Sequence, residues 1–255
     1  MSARQPLLSL IIPAYNEGER LPKTLPQVFT YLEAQNYPFE IIIVNNNSRD
    51  NTREVALEFA ASRPYLRVLD EMTQGKGAAV RTGMLAATGE YLFMADADFS
   101  MPIDEIAKFL PPQLGDYDVA IGSREVAGAV RYNEPHYRHF MGRVFNFYVK
   151  LLAIPGFEDT QCGFKCFRRE VAWSILPCQT IDGWAFDVEL LFIALRQGYH
   201  IIEVPIDWYY GENSRVSPVR DTINMIREVL RIRYNGFTGR YDSRRQPDPV
   251  ATKTH

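Results

Sequence analysis

The chain is poor in cysteine: Cys162, Cys166 and Cys178 are the only three in 255 residues. An odd count gives no paired disulfide framework, and Cys162 and Cys166 lack the second cysteine pair of a zinc cage. Reduced, partly buried thiols in a reducing compartment are the expectation. No stretch reaches the roughly 18 uninterrupted apolar residues of a membrane span. The apolar run in the N-terminal MSARQPLLSLIIP is too short for a leader or a spanning helix. Nor is there a large excess of one charge. The formal net charge is -3, which removes any global argument for nucleic acid. Internal repeats and low-complexity tracts are absent. What remains is an ordinary folded composition, 46% hydrophobic and 23% charged, in a length that supports a sizeable core. One folded domain is expected over 1–240, with a disordered polar tail over 241–255. The charge is uneven, however. From Arg215 to Arg245 eight arginines face Asp221, Glu228 and Asp242, with Glu212 just before them. A basic end on an acidic body favours anionic surfaces.

The apolar segments LLSLIIPAYN, FEIIIVNNNS, YLRVLD, EYLFMAD and YDVAIGSR read as strands. Helical spacing fills the gaps between the first four: EGERLPKTLPQVFTYLEAQ, DNTREVALEFAASRP with Asp50 or Asn51 as cap, and GKGAAVRTGMLAATG after a glycine turn. Further on come an aromatic helix in HFMGRVFNFYVKLLAIPGF with Arg143 and Lys150 on a greasy surface, a helix in DVELLFIALRQG, one strand in YHIIEVPIDWYY, and a last amphipathic helix opened by Ser217-Pro218. Apolar strands alternating with helices predict an α/β fold with a mostly parallel sheet, helices on both faces and amphipathic helices at the C-terminal end. Ligands of such sheets bind outside the carboxyl ends of the strands. That rule gathers Tyr15, Glu17, Asn45 to Asn47, Lys76, Asp96 and Asp98 on one rim.

Asp96-Ala97-Asp98 is the sharpest feature of that rim. Two carboxylates so close repel one another, and each loses hydration at the edge of a core. Either the pair sits in water at a turn, or a positive group lies between its members. Hard oxygens at a strand end suit Mg²⁺ or Mn²⁺, with a diphosphate completing the shell. Tyr15 and Glu17 could cover a nucleoside, or they form a polar loop before a helix. QGKGAAVRTG lacks the full phosphate-loop pattern Gly-x-x-x-x-Gly-Lys-Ser/Thr. Lys76 could still reach a diphosphate, with Gly75 and Gly77 letting the backbone approach it. Arg124, Arg131, Arg138 and Arg143 could collect an anionic acceptor or form a solvated face. Asp159 and Asp187 are each a loop or capping carboxylate, or a general base.

The segments IIPAYNE, VNNNSRDNT, GKGAAVRTGMLAATGEYLFMADAD, GSR and DTQCGFKCF, in this order and at these spacings, resemble a family 2 nucleotide-sugar glycosyltransferase. Within it the likeness is to polyprenyl- and dolichyl-phosphate sugar synthases, the β-glucosyltransferase type in particular, from Leu8 to Arg233. The resemblance implies a single catalytic domain of glycosyltransferase A-type (Rossmann-like) fold, an inverting reaction, and Mg²⁺ or Mn²⁺. It implies donor contacts at Pro13, Tyr15 and Glu17, metal and diphosphate binding at Asp96 and Asp98, and acceptor-phosphate contacts at Arg124 and Arg138. Asp159 matches a position proposed as base in some relatives. Arg215 resembles a basic residue that closes over the diphosphate. The implied partners are a nucleotide-sugar donor, UDP-glucose first, and a lipid phosphate acceptor, at a peripheral membrane surface and without nucleic acid. GDP-mannose or a hydroxyl acceptor is the alternative within the family. A nucleotidyltransferase or a non-catalytic sugar-nucleotide-binding protein is the alternative outside it.

One departure concerns the donor base. Relatives commonly carry Asp-Asp-Gly-Ser where this chain has Asn45-Asn46-Asn47-Ser48. An Asn such as Asn46 can both donate to and accept from a uracil edge, and Asn47 in the glycine place tolerates a left-handed backbone. A second departure is the lack of a spanning segment; a location in the cytoplasm, or peripheral on the cytoplasmic membrane face, is the expectation. Membrane contact would then fall to the 139–154 helix and the basic last helix. A phosphate acceptor needs little help from a base, so Asp159→Asn would cost little with one, and about 10²-fold with a hydroxyl.

Overall fold

The computed structural model describes residues 5–211 and 218–242, excluding the side chains of residues 138, 140, 141, 145 and 218–223. The first half alternates β1 (Leu8–Ala14), α1 (Leu21–Glu33), β2 (Phe39–Asn45), α2 (Thr52–Ala60), β3 (Leu66–Asp70), α3 (Lys76–Ala86) and β4 (Tyr91–Met94). A 3₁₀ turn at Ile103–Phe109 leads to β5 (Val119–Ser123), β6 (Val130–Tyr132), α4 (His136–Leu152), β7 (Lys165–Arg168) and α5 (Arg169–Ile175). After a 3₁₀ turn at Leu176–Cys178 come α6 (Phe186–Arg196), β8 (Ile201–Pro205), β9 (Asp207–Tyr209) and α7 (Pro218–Phe237).

The main sheet has the order β3-β2-β1-β4-β7-β5-β8. Only β7 runs antiparallel to its neighbours. It begins at the rim where β4 and β5 end, so it must run back down the sheet. Alternate side chains of each strand feed opposite cores. Ile11, Ile42, Val44, Leu92 and Met94 pack with α3, α5 and α6 on one face. Leu10, Ile12, Ile41, Ile43 and Phe93 pack with α1 on the other. Burial on both faces is why these strands read as unbroken apolar runs.

Two expectations need correction. YHIIEVPIDWYY is two strands, not one. Pro205 has no N–H for the ladder, so β8 ends there, and β9 leaves to pair with β6 in a separate two-stranded sheet. Tyr132 and Tyr209 stack across that pair with centroids 4.3 Å apart. The ordered chain also runs past residue 240. Tyr241 is fully buried, its hydroxyl donates to Glu189 at 2.7 Å, and Asp242 pairs with Arg196. The rest of the proposed tail, 243–255, lies outside the described residues. Among the described residues no helix is long and apolar enough to cross a membrane.

Candidate active site

The carboxyl ends of β1, β4 and β5 deliver Tyr15 and Glu17, Asp96 and Asp98, and Arg124 to one rim. After β4 the chain turns sharply. Phe99 N–H returns to Asp96 O at 3.1 Å and Ser100 N–H to Asp98 Oδ1 at 3.1 Å. Phe99 takes φ +44°, a left-handed conformation that costs an aromatic residue about 1–3 kcal/mol. Packing of its ring against the apolar core holds it there.

The positive groups that the Asp pair requires are present. Lys76 Nζ lies 2.5 Å from Asp96 Oδ1. Burial works against its charge, but Asp96 and Asp187 outweigh burial and raise its pKa. Arg20, which sequence reasoning missed, pairs with the buried Glu17 at 2.8 Å and also acts on Asp98. Its place three residues after Glu17 was the available signal. Burial and the Asp96 charge still raise the pKa of Asp98. Two repelling hard-oxygen donors at a strand end fit a divalent cation. Among the described residues no group of three or more His, Cys, Asp or Glu side chains forms a cage, so further ligands would be diphosphate oxygens and water. Gly163 brings the CGF loop directly against Asp96: a Cβ there would overlap the carboxylate.

Three sequence expectations change. Asn46 is committed to the turn: its amide donates to Glu71 O at 3.2 Å and Thr73 O at 2.7 Å, and accepts from Gly75 N–H at 2.8 Å. Both amide donors are used, so it braces the loop before α3 and is not placed to read a base. Asn45 is likewise tied to Asp70 at 2.9 Å, whereas Asn47 adopts φ +53°, as its place in the turn demanded. The Gly75–Gly77 turn admits the chain's own 181–186 segment instead of a phosphate. Gly77 N–H donates to Asp182 O at 2.8 Å, and a Cβ on Gly77 would come within 2.6 Å of Phe186 Cβ.

Asp159 is the third. It holds Arg124 Nε at 2.6 Å and Nη2 at 2.9 Å, and accepts the Arg124 backbone N–H at 3.1 Å. Burial alone would raise its pKa, but the Arg124 charge and hydrogen bonds win and hold it at about 2. A carboxylate so acidic is a poor proton acceptor at neutral pH. Asp159 therefore holds Arg124 in place, an arrangement that argues against the base role implied by the resemblance. Arg124 also lies 5.4 Å from the Trp208 ring centroid. Arg131 pairs with Glu125 and Glu134, and Arg143 with Glu125 and Glu158, so neither forms an open cationic face. The Arg138 side chain and Arg215 lie outside the described residues. Pro13 and Tyr15 stand partly exposed at the end of β1.

Beneath the rim lies a pair that sequence reasoning found only by half. Lys165 is 0% exposed and sits 2.9 Å from the buried Asp187. Its ammonium also donates to Cys162 O at 2.5 Å. Asp187 acts electrostatically on Lys76, and Lys165 on Asp159. Alternating charges thus run from Asp96 through Lys76, Asp187 and Lys165 toward Asp159 and Arg124. A Lys set among Phe164, Cys166 and Phe167 was the signal for it.

Comparison with known proteins follows the same lines. Residues 9–176 match the model of "Glycosyl transferase family 2". The chain is 36% identical over 236 residues to Dolichyl-phosphate beta-glucosyltransferase ALG5C of Trichomonas vaginalis, covering 88% of this chain and 70% of that protein. It is 33% identical over 247 residues to the Dolichyl-phosphate beta-glucosyltransferase of Homo sapiens, covering 91% and 76%. Its structure is similar to that of glucosyl-3-phosphoglycerate synthase from Mycobacterium tuberculosis in complex with Mn²⁺, UDP-glucose and phosphoglyceric acid. The TM-score is 0.65 at 16% identity, covering 96% of this chain and 81% of that one.

Proposed function

The chain belongs to glycosyl transferase family 2 and has the glycosyltransferase A-type fold, and from that premise we propose that it moves glucose from UDP-glucose to a polyprenyl or dolichyl phosphate, with inversion at the anomeric carbon. The activity named for its relatives supports these substrate classes. One observation supports the acceptor in particular. The carboxylate at the position of a base, Asp159, is spent on Arg124 and held at about 2. A hydroxyl acceptor must lose a proton as it attacks. A phosphate monoester has a second pKa of about 6 and arrives largely ionised. A site with its base locked suits the second kind of nucleophile.

In this reading the rim binds the donor with its diphosphate beside Lys76 and its nucleoside near Pro13 and Tyr15. Asp96 and Asp98 would hold Mg²⁺ or Mn²⁺, which would supply Lewis-acid stabilisation of the leaving nucleoside diphosphate. Lys76 adds positive charge to the same oxygens. Arg124, fixed by Asp159, presents its guanidinium edge to the acceptor phosphate and orients one oxygen toward the anomeric carbon, opposite the leaving group. The enzyme works as a peripheral protein at the cytoplasmic membrane face, where its three buried cysteine thiols stay reduced.

The test is release of UDP or GDP from UDP-glucose or GDP-mannose, with Mn²⁺ or Mg²⁺, with and without a polyprenyl phosphate. UDP release that rises with the lipid phosphate supports the reading. Release indifferent to the lipid, or GDP release in preference to UDP, counts against it.

A further inference from the structure

α4 is amphipathic in an unusual sense. Four of its polar side chains, His139, Arg143, Asn146 and Lys150, form one stripe whose tips reach acceptors on the protein, with His139 and Arg143 still about half exposed. His139 and Arg143 reach Glu125, each at 3.4 Å. Arg143 lies 3.6 Å and Lys150 2.7 Å from the Glu158 carboxylate, and the Asn146 amide donates to Glu158 O. The adjoining stripe at Tyr137, Val144, Phe147, Tyr148 and Leu151 faces outward, with Phe147 62% and Leu151 68% exposed. Arg143 and Lys150 thus border the protein along one edge of the helix, and Leu151, Tyr137 and Phe147 are the most exposed of its large apolar side chains. α7 packs beside α4. It adds exposed Leu230, Tyr234 and Phe237, interleaved with exposed Arg227, Arg231 and Arg233. α4 contains no acid. An apolar surface edged by arginines is complementary to a bilayer with anionic phospholipids.

Three successive turns of α4 converge on one residue, Glu158, and the next residue is Asp159. The Glu203 carboxylate accepts both backbone N–H groups, of Glu158 and of Asp159, at 2.9 Å each. That peptide unit is therefore a rigid link. One end is gripped by the helix with the apolar outer face; the other fixes Arg124. We propose that Glu158 is a positioning residue that couples seating of α4 on an anionic bilayer to the placement of Arg124 for the acceptor phosphate. The coupling rests on the lipid-phosphate reading and gives it a regulation: the acceptor site is set when α4 is docked. Arginine placement for a phosphate is sensitive to small displacements, which is what makes such a link effective.

The test uses a short, water-soluble isoprenyl phosphate as acceptor, so that the acceptor itself need not be in a membrane. Transfer is measured with and without phosphatidylcholine vesicles containing phosphatidylserine, each variant serving as its own reference. For the unaltered protein, vesicles should raise kcat/KM for the soluble acceptor by about fivefold or more, a usual size for coupling between sites, with the donor KM unchanged. Glu158→Gln should sediment with the vesicles as the unaltered protein does, yet lose the stimulation. Phe147→Ser with Leu151→Ser should lose both binding and stimulation. A protein that transfers glucose but is not stimulated by vesicles it binds overturns the coupling and leaves the acceptor reading intact. Stimulation retained in Glu158→Gln likewise overturns it. Absence of transfer to any isoprenyl phosphate, soluble or in vesicles, overturns the acceptor reading and the coupling with it.

Discussion

Asp159 grips Arg124 at two points of its guanidinium, 2.6 and 2.9 Å away, and also takes the arginine's own backbone N–H at 3.1 Å. Three contacts to one residue leave the arginine a single orientation. Together with the Gln161 N–H, which donates to Asp159 Oδ1 at 3.2 Å, they fill the four acceptor sites that a base would need. The two roles exclude each other, and the geometry favours orientation.

For Asp159→Asn the sequence suggested a small cost with a phosphate acceptor. The geometry predicts a larger one, of a different kind. The amide cannot hold Arg124 by charge, so KM for the acceptor should rise and kcat/KM fall about 10²-fold, with the donor KM little changed. Steady-state kinetics in both substrates check this. The same substitution should change acid stability. The folded pKa of about 2 lies below the ordinary Asp value of about 3.9. Its contribution is therefore complete above about pH 4 and is lost as pH falls toward 2. The variant should be less stable at neutral pH and lose less on acidification, as denaturant titration at several pH values would show.

Gly163→Ala should damage the metal site without unfolding the protein. The added methyl collides with the Asp96 carboxylate, the far end of a side chain, and with no backbone atom among its three nearest neighbours. The Mn²⁺ concentration for half-maximal activity should rise by about tenfold or more, with little change in Tm. A metal titration of turnover beside a melting curve reads both.

Asp98→Asn should abolish turnover that depends on added metal. In chelator, its Tm should equal or exceed that of the unaltered protein. Burial and Asp96 raise the Asp98 pKa. A carboxyl raised in this way costs stability above its folded pKa, and the amide removes the cost. Full activity in the variant would end the metal assignment.

Lys165→Met strands the buried Asp187, and loss of one member of such a pair costs about 3–5 kcal/mol. Adding Asp187→Leu should recover much of that stability, because an apolar pair needs no compensation. Activity should not recover, since Lys76 has lost the Asp187 charge that supports it. Chemical denaturation and turnover of the two single variants and the double variant test the separation.

The sheet was legible because its strands are buried on both faces and its helices begin and end on Gly, Pro and Asn signals. The Asp96–Lys76 and Asp159–Arg124 groupings could be anticipated only as members of one rim. Their pairing depends on contacts between residues 20 and 35 positions apart. The Asn46 misreading has a plain cause: an amide in a turn can read a base or brace the turn, and only the positions of Glu71 O, Thr73 O and Gly75 N decide. Which side chains of α4 reach the protein was equally hidden. Its helical period was clear, but which stripe faces inward is set by Glu125 and Glu158, neither of which lies on the helix. The break between β8 and β9 was readable from Pro205 and was overlooked.

The central claim is that the acceptor arrives ionised and that no carboxylate of the protein removes its proton. The pH dependence of kcat/KM for a polyprenyl phosphate, in the unaltered protein and in Asp159→Asn, tests it most directly. The account predicts a fall in both below about pH 6, where the phosphate takes up its second proton, at a lower level but the same midpoint in the variant. An acidic limb that moves or disappears in Asp159→Asn would contradict it and make Asp159 the base.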